Sequence, residues 1–322
     1  MKFDRKAPGC GLEIITQIQG GKAYLEGRLH LCGEGETALS LPLQEGAYLN
    51  IRIWDREERL VFSCQYPLGQ EEPMKGIILH PKLWQGTENP YLYRIQASLM
   101  EHKDCAADIL ERKLALRSFC EIPIKGWFLN EYPFEIRAVE YEMFTVVCDS
   151  LLQQRIRSEL ELIKELGANV VCPIGDISKE EVYKICDELG LIILSKDQAG
   201  RELQKEKWPR FCGVENSLFT PEKNSPTDLY YYYKACWSKE PFVYISTDSF
   251  TLAPNKSAKV VVYSNQKKVA LYVEGALFEF RTEGPDYIFE EIPVKQFPVL
   301  LTAETGECSM SVAVYPIHKT FT

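Results

Sequence analysis

A chain of 322 residues that is 45% hydrophobic and 26% charged has ordinary globular composition and roughly two to three domains' worth of length. Its net charge of -9 and four scattered histidines (His30, His80, His102, His318) exclude a basic nucleic-acid footprint and a histidine-rich metal site, so neither nucleic acid nor a metal is expected. The eleven cysteines are odd in number and contain no C-x-x-C pair, "MKFDRKAPGCGLEIITQIQGG" has no apolar run behind its charges, and no stretch reaches membrane-span length; the expectation is a soluble, unexported, cytoplasmic chain with reduced thiols and no membrane partner.

Up to about residue 123 the sequence alternates in the manner of half-buried strands. In "AYLEGRLHL" Leu25, Gly27, Leu29 and Leu31 share one face against Tyr24, Glu26, Arg28 and His30. In "YLNIRIWD" Leu49, Ile51 and Ile53 oppose Asn50, Arg52 and Trp54. With "LEIITQI", "RLVFSCQY", "GIILH", "YLYRIQASL" and "KLALRSFCEI", these make about seven strands punctuated by "DREE", "PLGQEEP" and "QGTENP". The spacing predicts an immunoglobulin-like sandwich over residues 1–123.

Beyond residue 124 the period changes. "FEIRAVEY" reads as a short apolar strand, and "DSLLQQRIRSELELIKELG" as a helix with Leu151, Leu152, Ile156, Leu160, Ile163 and Leu166 at helical spacing and a stop at Gly167. "ANVVCPI" is strand-like, "SKEEVYKICDELG" is a helix opened by the box Ser178 to Glu181 and stopped at Gly190, and "LIILS" is a third strand. Parallel α/β units over residues 124–238 follow. In the last helix Ser225 is read as the cap, Pro226 as the first helical residue and Asp228 as the completion of the box. Leu229, Tyr232, Tyr233 and Cys236 then face inward while Tyr230 and Tyr231 point elsewhere, and Pro241 ends the helix. From Phe242 the chain returns to strands: "KVVVYSNQKKVALYVEG" reads as a hairpin-like pair, Val260 to Tyr263 and Val269 to Val273. "YIFEEIPV", "PVLLTAET" and "SMSVAVYP" complete a second sandwich over residues 239–322.

Several motifs stand in one order: "HPKLWQGTENPYLYRIQASL", "FLNEYPFEIRAVEYE", "IKELGANVVCPIGDISKEEVYKICDELGLIIL", "DLYYYYKACWSKEPFVYI" and "VVVYSNQKKVALYVEG". This series resembles glycoside hydrolase family 2, the β-galactosidase and β-glucuronidase group. The first motif is similar to the family's P-x-L-W…P-Y-L-Y ending of its immunoglobulin-like domain, and the second to the opening of its catalytic barrel. The resemblance implies O-glycosyl hydrolysis without a cofactor, by two glutamates at the ends of middle and late barrel strands, one as nucleophile and one as acid and base.

Those glutamates have no counterpart here. Asn130-Glu131 precedes the first barrel strand and occupies the slot of a turn. A complete barrel takes at least ~200 residues, and after "LIILS" the chain passes through "KDQAGRELQKEKWPRFCGVENSLFTPEKN" straight to the last helix. Units four to seven are therefore expected to be missing, as is an N-terminal sugar-binding domain. Arg137, Ala138, Val139, Glu140, Tyr141 and Glu142 stand where the family reads R-G-V-N-x-H-E, so the arginine and valine remain and the polar pattern after them does not.

The substitute acids available at or beyond strand ends are Glu140, Glu142, Asp176, Asp197 and Glu215. Arg137, which matches an active-site arginine of the family, and Trp208, which could stack on a sugar, are the candidate substrate-binding residues. The plainer reading of each is an ion-paired carboxylate, a supporting arginine and a gap-filling tryptophan. The expected protein is a non-catalytic, carbohydrate-associated binding or interaction module; the alternative is a reduced but active β-glycosidase. Open strand edges in the remnant would need cover from loops, a second copy in a homo-dimer, or a protein partner.

Overall fold

In the computed structural model the residues described are 2–32, 46–69, 72–102, 105–142, 150–174, 180–194, 208–212, 216–221, 225–253 and 257–315. The chain divides into two compact units: Met1–Ile136 with Val147–Leu160 and Ile177–Ile193, and Arg137–Val146 with Glu161–Asp176 and Leu194–Thr322.

The first unit opens with β1 (Lys2–Phe3), β2 (Leu12–Gln19), β3 (Lys22–Leu29), β4 (Leu31–Cys32), β5 (Tyr48–Trp54), β6 (Leu60–Pro67), β7 (Met74–Leu79), β8 (Leu92–His102) and β9 (Cys105–Ala115). Antiparallel sheets of order β2-β3-β7 and β6-β5-β8-β9 face one another. They share a core that includes Leu25, Leu49, Ile51, Ile53, Ile95 and Leu99, which makes this a β-sandwich. The expected alternation holds because only one face of each strand is dry.

"KLALRSFCEI" is two strands rather than one. β9 ends at Ala115, and β10 (Phe119–Ile122) starts a small sheet with β11 (Gly126–Leu129) and β12 (Tyr132–Pro133). The break falls where Leu116 C=O accepts the Trp84 N–H and Ser118 exchanges bonds with Asn130, which draws the chain out of the sandwich ladder.

There follow β13 (Ala138–Glu142), α1 (Ser150–Glu165), β14 (Val170–Ile174), α2 (Glu180–Leu189), β15 (Ile192–Ile193), β16 (Arg210–Cys212), β17 (Ser217–Phe219) and α3 (Asp228–Trp237). Gly167 and Gly190 close α1 and α2 with φ of +95° and +87°, the left-handed geometry that a helix stop requires. Ser178 and the side chains of Leu151 and Leu152 lie outside the described residues.

In the second unit β13 pairs in parallel with β14, from Ala138↔Val170 to Glu142↔Ile174, and on its other side with β16 at Glu140↔Arg210. β17 adds to β16 in parallel. The outer side of β17 does not wait for a partner: its own chain covers it, with Phe219 bridging Pro226, Thr220 N–H donating to Ser225 C=O and Thr227 N–H donating to Leu218 C=O.

That cover displaces the expected start of α3. Ser225 and Pro226 lie along β17, and Thr227 at the N-cap donates its hydroxyl to Ser217 and Leu218 carbonyls instead of capping. The inward face shifts too: Tyr230 and Ala235 are buried, whereas Tyr232 is 38% exposed and Cys236 is exposed. Four consecutive tyrosines put a ring on every side of the helix, so its phase is chosen by the neighbours. Tyr230 meets Phe219 at 5.2 Å and Tyr231 stacks on Tyr244 at 3.3 Å.

The second sandwich comprises β18 (Val243–Leu252), β19 (Ser257–Ser264), β20 (Lys268–Val273), β21 (Ala276–Thr282), β22 (Asp286–Pro293), β23 (Val299–Glu304) and β24 (Ser309–Val314). Its sheets are β18-β19-β22 and β21-β20-β23-β24. The expected hairpin of Val260 to Tyr263 with Val269 to Val273 does not form, because these strands belong to opposite sheets and Ser264–Lys267 carries the chain across the core. The true hairpin is β20 with β21, through Glu274 and Gly275 at φ +51° and +79°. On β21 the paired charges Glu279 and Arg281 lie opposite the buried Leu271 and Val269, next to a bulge, which blunts this edge strand. Among the described residues no helix is long and apolar enough to cross a membrane.

Candidate functional site

The parallel strands order the candidate residues along one axis. Alternation puts Ala138, Glu140 and Glu142 on one face of β13, with Glu140 opposite Cys172 of β14 and Arg210 of β16. Glu140 is only 7% exposed; its N–H donates to Pro209 C=O at 2.9 Å, and its Oε2 lies 3.5 Å from Arg210 Nε. A buried carboxylate is tolerable when a cation faces it, and Arg210 meets that need while its own side chain stays 58% exposed. Sequence spacing gave no hint of Arg210, since parallel pairing joins segments far apart in the chain.

Glu142 ends the strand, exposed, opposite Ile174. The carboxyl ends of β13, β14, β16 and β17 are Glu142, Ile174, Cys212 and Phe219, so Glu142 is the acid among these four. Glu140 and Glu142 stand about 6.6 Å apart along the strand, one paired inside and one in water. Asp176, Asp197 and Glu215 lie outside the described residues. No group of three His, Cys, Asp or Glu among the described residues could hold a metal ion.

Arg137 lies at the other end of β13. Its N–H donates to Asn169 Oδ1 at 2.8 Å, its C=O accepts from Asn169 and Val170, and its Nη1 donates to Trp237 C=O at 2.8 Å. The guanidinium thus satisfies the carbonyl end of α3, where a cation also meets the helix dipole. Trp208 precedes β16 with its side chain buried and its C=O accepting from Asn216 Nδ2. The structure therefore brings Glu140 and the Trp208–Arg210 segment together and leaves Arg137 at the amino end.

Rings connect the parallel strands to the second sandwich. Tyr141 meets Phe211 at 5.4 Å, Phe211 meets Phe219 at 4.9 Å, and the series continues through Tyr230 and Tyr231 to Tyr244. Asp228 Oδ1 accepts a 2.6 Å bond from Ser246 Oγ beside them. Burial pushes the Tyr230 and Tyr231 phenols well above their ordinary range and Tyr263 up to about 12. A phenol whose folded-state pKa is raised stabilises the fold fully below its ordinary value near 10 and loses that contribution as pH climbs toward the folded value. The seam of α3 is accordingly expected to loosen from about pH 10 upward. Tyrosinate absorbance and circular dichroism followed together should change in one step; full ionisation with unchanged helicity would show that these hydroxyls do not hold α3.

No family model matches the chain. The chain is 28% identical over 194 residues to a beta-glucuronidase of Bacteroides fragilis, covering 59% of this chain and 27% of that protein. It is 26% identical over 208 residues to beta-galactosidase BoGH2A of Bacteroides ovatus, covering 62% of this chain and 23% of that protein. The matched segments thus span about a quarter of these relatives' own length. Among solved structures, the FMN-binding beta-glucuronidase of Facaelibacterium prausnitzii L2-6 superposes with a TM-score of 0.78 at 15% identity, over 98% of this chain and 75% of that one. In sequence over about 60% of its length and in fold over nearly all of it, the chain is similar to β-glucuronidases and β-galactosidases.

Proposed function

We propose that the chain is a degenerate member of this group that does not hydrolyse glycosides and works as a carbohydrate-associated binding or protein-interaction module. In this reading residues 1–123 are an immunoglobulin-like sandwich, residues 124–238 a truncated barrel remnant and residues 239–322 a second immunoglobulin-like sandwich.

The observation that carries the reading is the pairing of β13. One neighbour is β14, the next parallel strand; the other is β16, which leads through β17 and α3 directly into β18. The strands of the parallel sheet thus run from residue 138 to residue 219, where a complete barrel takes at least ~200 residues. No length remains for the middle units, which would bring both glutamates. Arg137 then serves α3, Glu140 is neutralised by Arg210, and Trp208 fills space beside the first strand.

The test is hydrolysis of aryl β-glucuronide, β-galactoside, β-glucoside and β-mannoside by the purified chain, beside a Glu140→Gln/Glu142→Gln double variant. Rates equal to the buffer blank for both proteins are expected. Turnover that disappears in the double variant would overturn the proposal and establish the alternative, a reduced β-glycosidase built on the first parallel strand.

A further inference from the structure

In the first unit, strand alternation turns Ile18, Leu25 and Ile78 of the β2-β3-β7 sheet into the core. On the outer face of the same sheet it leaves Ile15, Tyr24, Ile77 and Leu79, which are 45%, 36%, 51% and 63% exposed. Antiparallel register sets that face out in rows: Gln19, Lys22 and Leu79 in one, Gln17, Tyr24 and Ile77 in the next, then Ile15, Glu26 and Lys75, and last Glu13 and Arg28. A depression of about 370 Å³ lies along the second and third rows. Strands ~4.8 Å apart and rising ~3.3 Å per residue make the whole face about 350 Å². That lies in the range where an exposed patch is often functional. It is also below the ~800 Å² per partner of a standard interface, so association through it is weak and reversible.

The charges point to a second copy of the chain as the occupant. Lys22, Arg28 and Lys75 balance Glu13, Glu26 and Glu131, whose carboxylate accepts from Gly20 N–H at the turn between β2 and β3. On a chain of net charge -9 this face is neutral, and it offers a strongly charged partner no attraction.

Two such faces can meet about a two-fold axis in two settings. With the axis along β3, Glu26 meets Glu26 of the second copy and Lys22 meets Lys22. With the axis along the row of Tyr24, the strands of the two copies run antiparallel, position 22 lies over position 26, and both contacts become lysine on glutamate. Glu26 Oε1 lies 3.4 Å from Arg28 within its own copy, which leaves Oε2 for Lys22 of the second copy. Tyr24 and Ile77 then meet their own counterparts at the axis. Leu79, the most exposed apolar side chain of the face, enters the depression beside the stem of Lys75 of the second copy. Sheets stacked ~10 Å apart and rotated by ~30° keep these long side chains within reach of one another.

We propose that the β2-β3-β7 face joins two copies of this chain in a weak two-fold dimer, with Tyr24 and Ile77 at the axis and Lys22 against Glu26 on either side. This contact goes beyond the module reading above and does not depend on whether the chain hydrolyses glycosides.

Sedimentation velocity of the full chain from about 1 to 300 µM tests it, at ~0.15 M salt, where exposed charges more than ~8 Å apart are largely screened. The unsubstituted chain is expected to pass from monomer to dimer with a Kd of about 50 µM. Lys22→Glu and Glu26→Lys each place like charges at both contacts and should weaken association by about tenfold or more. The two variants mixed in equal amounts should pair as tightly as the unsubstituted chain, since each supplies the sign that the other lacks. The double exchange Lys22→Glu/Glu26→Lys should dimerise again. Melting temperatures close to that of the unsubstituted chain check that the variants fold. A monomer at about 300 µM, a single variant that dimerises as tightly as the unsubstituted chain, or a mixture that stays monomeric would each overturn the proposal.

Discussion

Trp84→Ala is expected to destabilise the first unit by about 4 kcal/mol or more and to free α2 from the sandwich. Trp84 is fully buried; its N–H donates to Leu116 C=O at 3.0 Å and its C=O accepts from Asn130 Nδ2 at 2.7 Å. The indole Nε1 donates to Asp187 C=O of α2 at 2.8 Å, and the Arg117 guanidinium lies 4.2 Å over the ring while pairing with the Asp187 carboxylate at 2.6 Å. Truncating a buried tryptophan removes about 3–5 kcal/mol of packing, and the stranded Asp187 carbonyl adds about 1–3 kcal/mol. Trp84→Phe keeps most of the apolar bulk and loses the indole bond, so only that second contribution should appear. Hydrogen exchange read separately over Glu180–Leu189 and over β5 and β8 distinguishes the cases. Unchanged protection of α2 in Trp84→Ala would mean that the pairing of Glu188 with Lys113 and Arg157 suffices to hold the helix.

The same residue shows what sequence could and could not convey. Its motif was legible as an ending of the first sandwich, but that its indole reaches α2 was not, because the partner is a backbone carbonyl without a side-chain signature. Strands with one dry face were readable from period alone, as Leu49, Ile51 and Ile53 were. Which sheet a strand joins was not: Val260 to Tyr263 and Val269 to Val273 alternate alike and are separated by a short polar stretch, yet they lie across the core from one another. The sharper hairpin signal was Glu274-Gly275, where both residues must be left-handed. The tyrosine run hid the phase of α3 because it has no polar side. Asn130-Glu131, in the first unit, was legible as a turn, and φ values of +51° and +72° fit that reading. The pairing of Glu140 with Arg210 needs the sheet itself.

Gly190→Ala is the other change expected to be severe, by about 2–4 kcal/mol, although it adds one methyl group. Part of this is the left-handed backbone, at about 1 kcal/mol for any residue with a Cβ. The rest is contact: a Cβ at Gly190 would stand 2.3 Å from Gly86 O and 2.6 Å from Thr87 Cα, which are main-chain atoms of the turn that follows Trp84. A long side chain could swing aside, but this turn is fixed through Gln85, whose N–H donates to Asn89 C=O, and through Trp84 itself. Gly167→Ala poses the same problem in the second unit, with the new methyl 2.5 Å from the Trp237 carbonyl that receives Arg137. Gly275→Ala is the control, since it shares a positive φ of +79° and meets open space, leaving only the backbone contribution. Thermal denaturation should rank Gly190→Ala and Gly167→Ala well below Gly275→Ala. If Gly190→Ala melts with Gly275→Ala, the turn after Trp84 yields freely, and the indole bond rather than the close backbone approach is what seats α2.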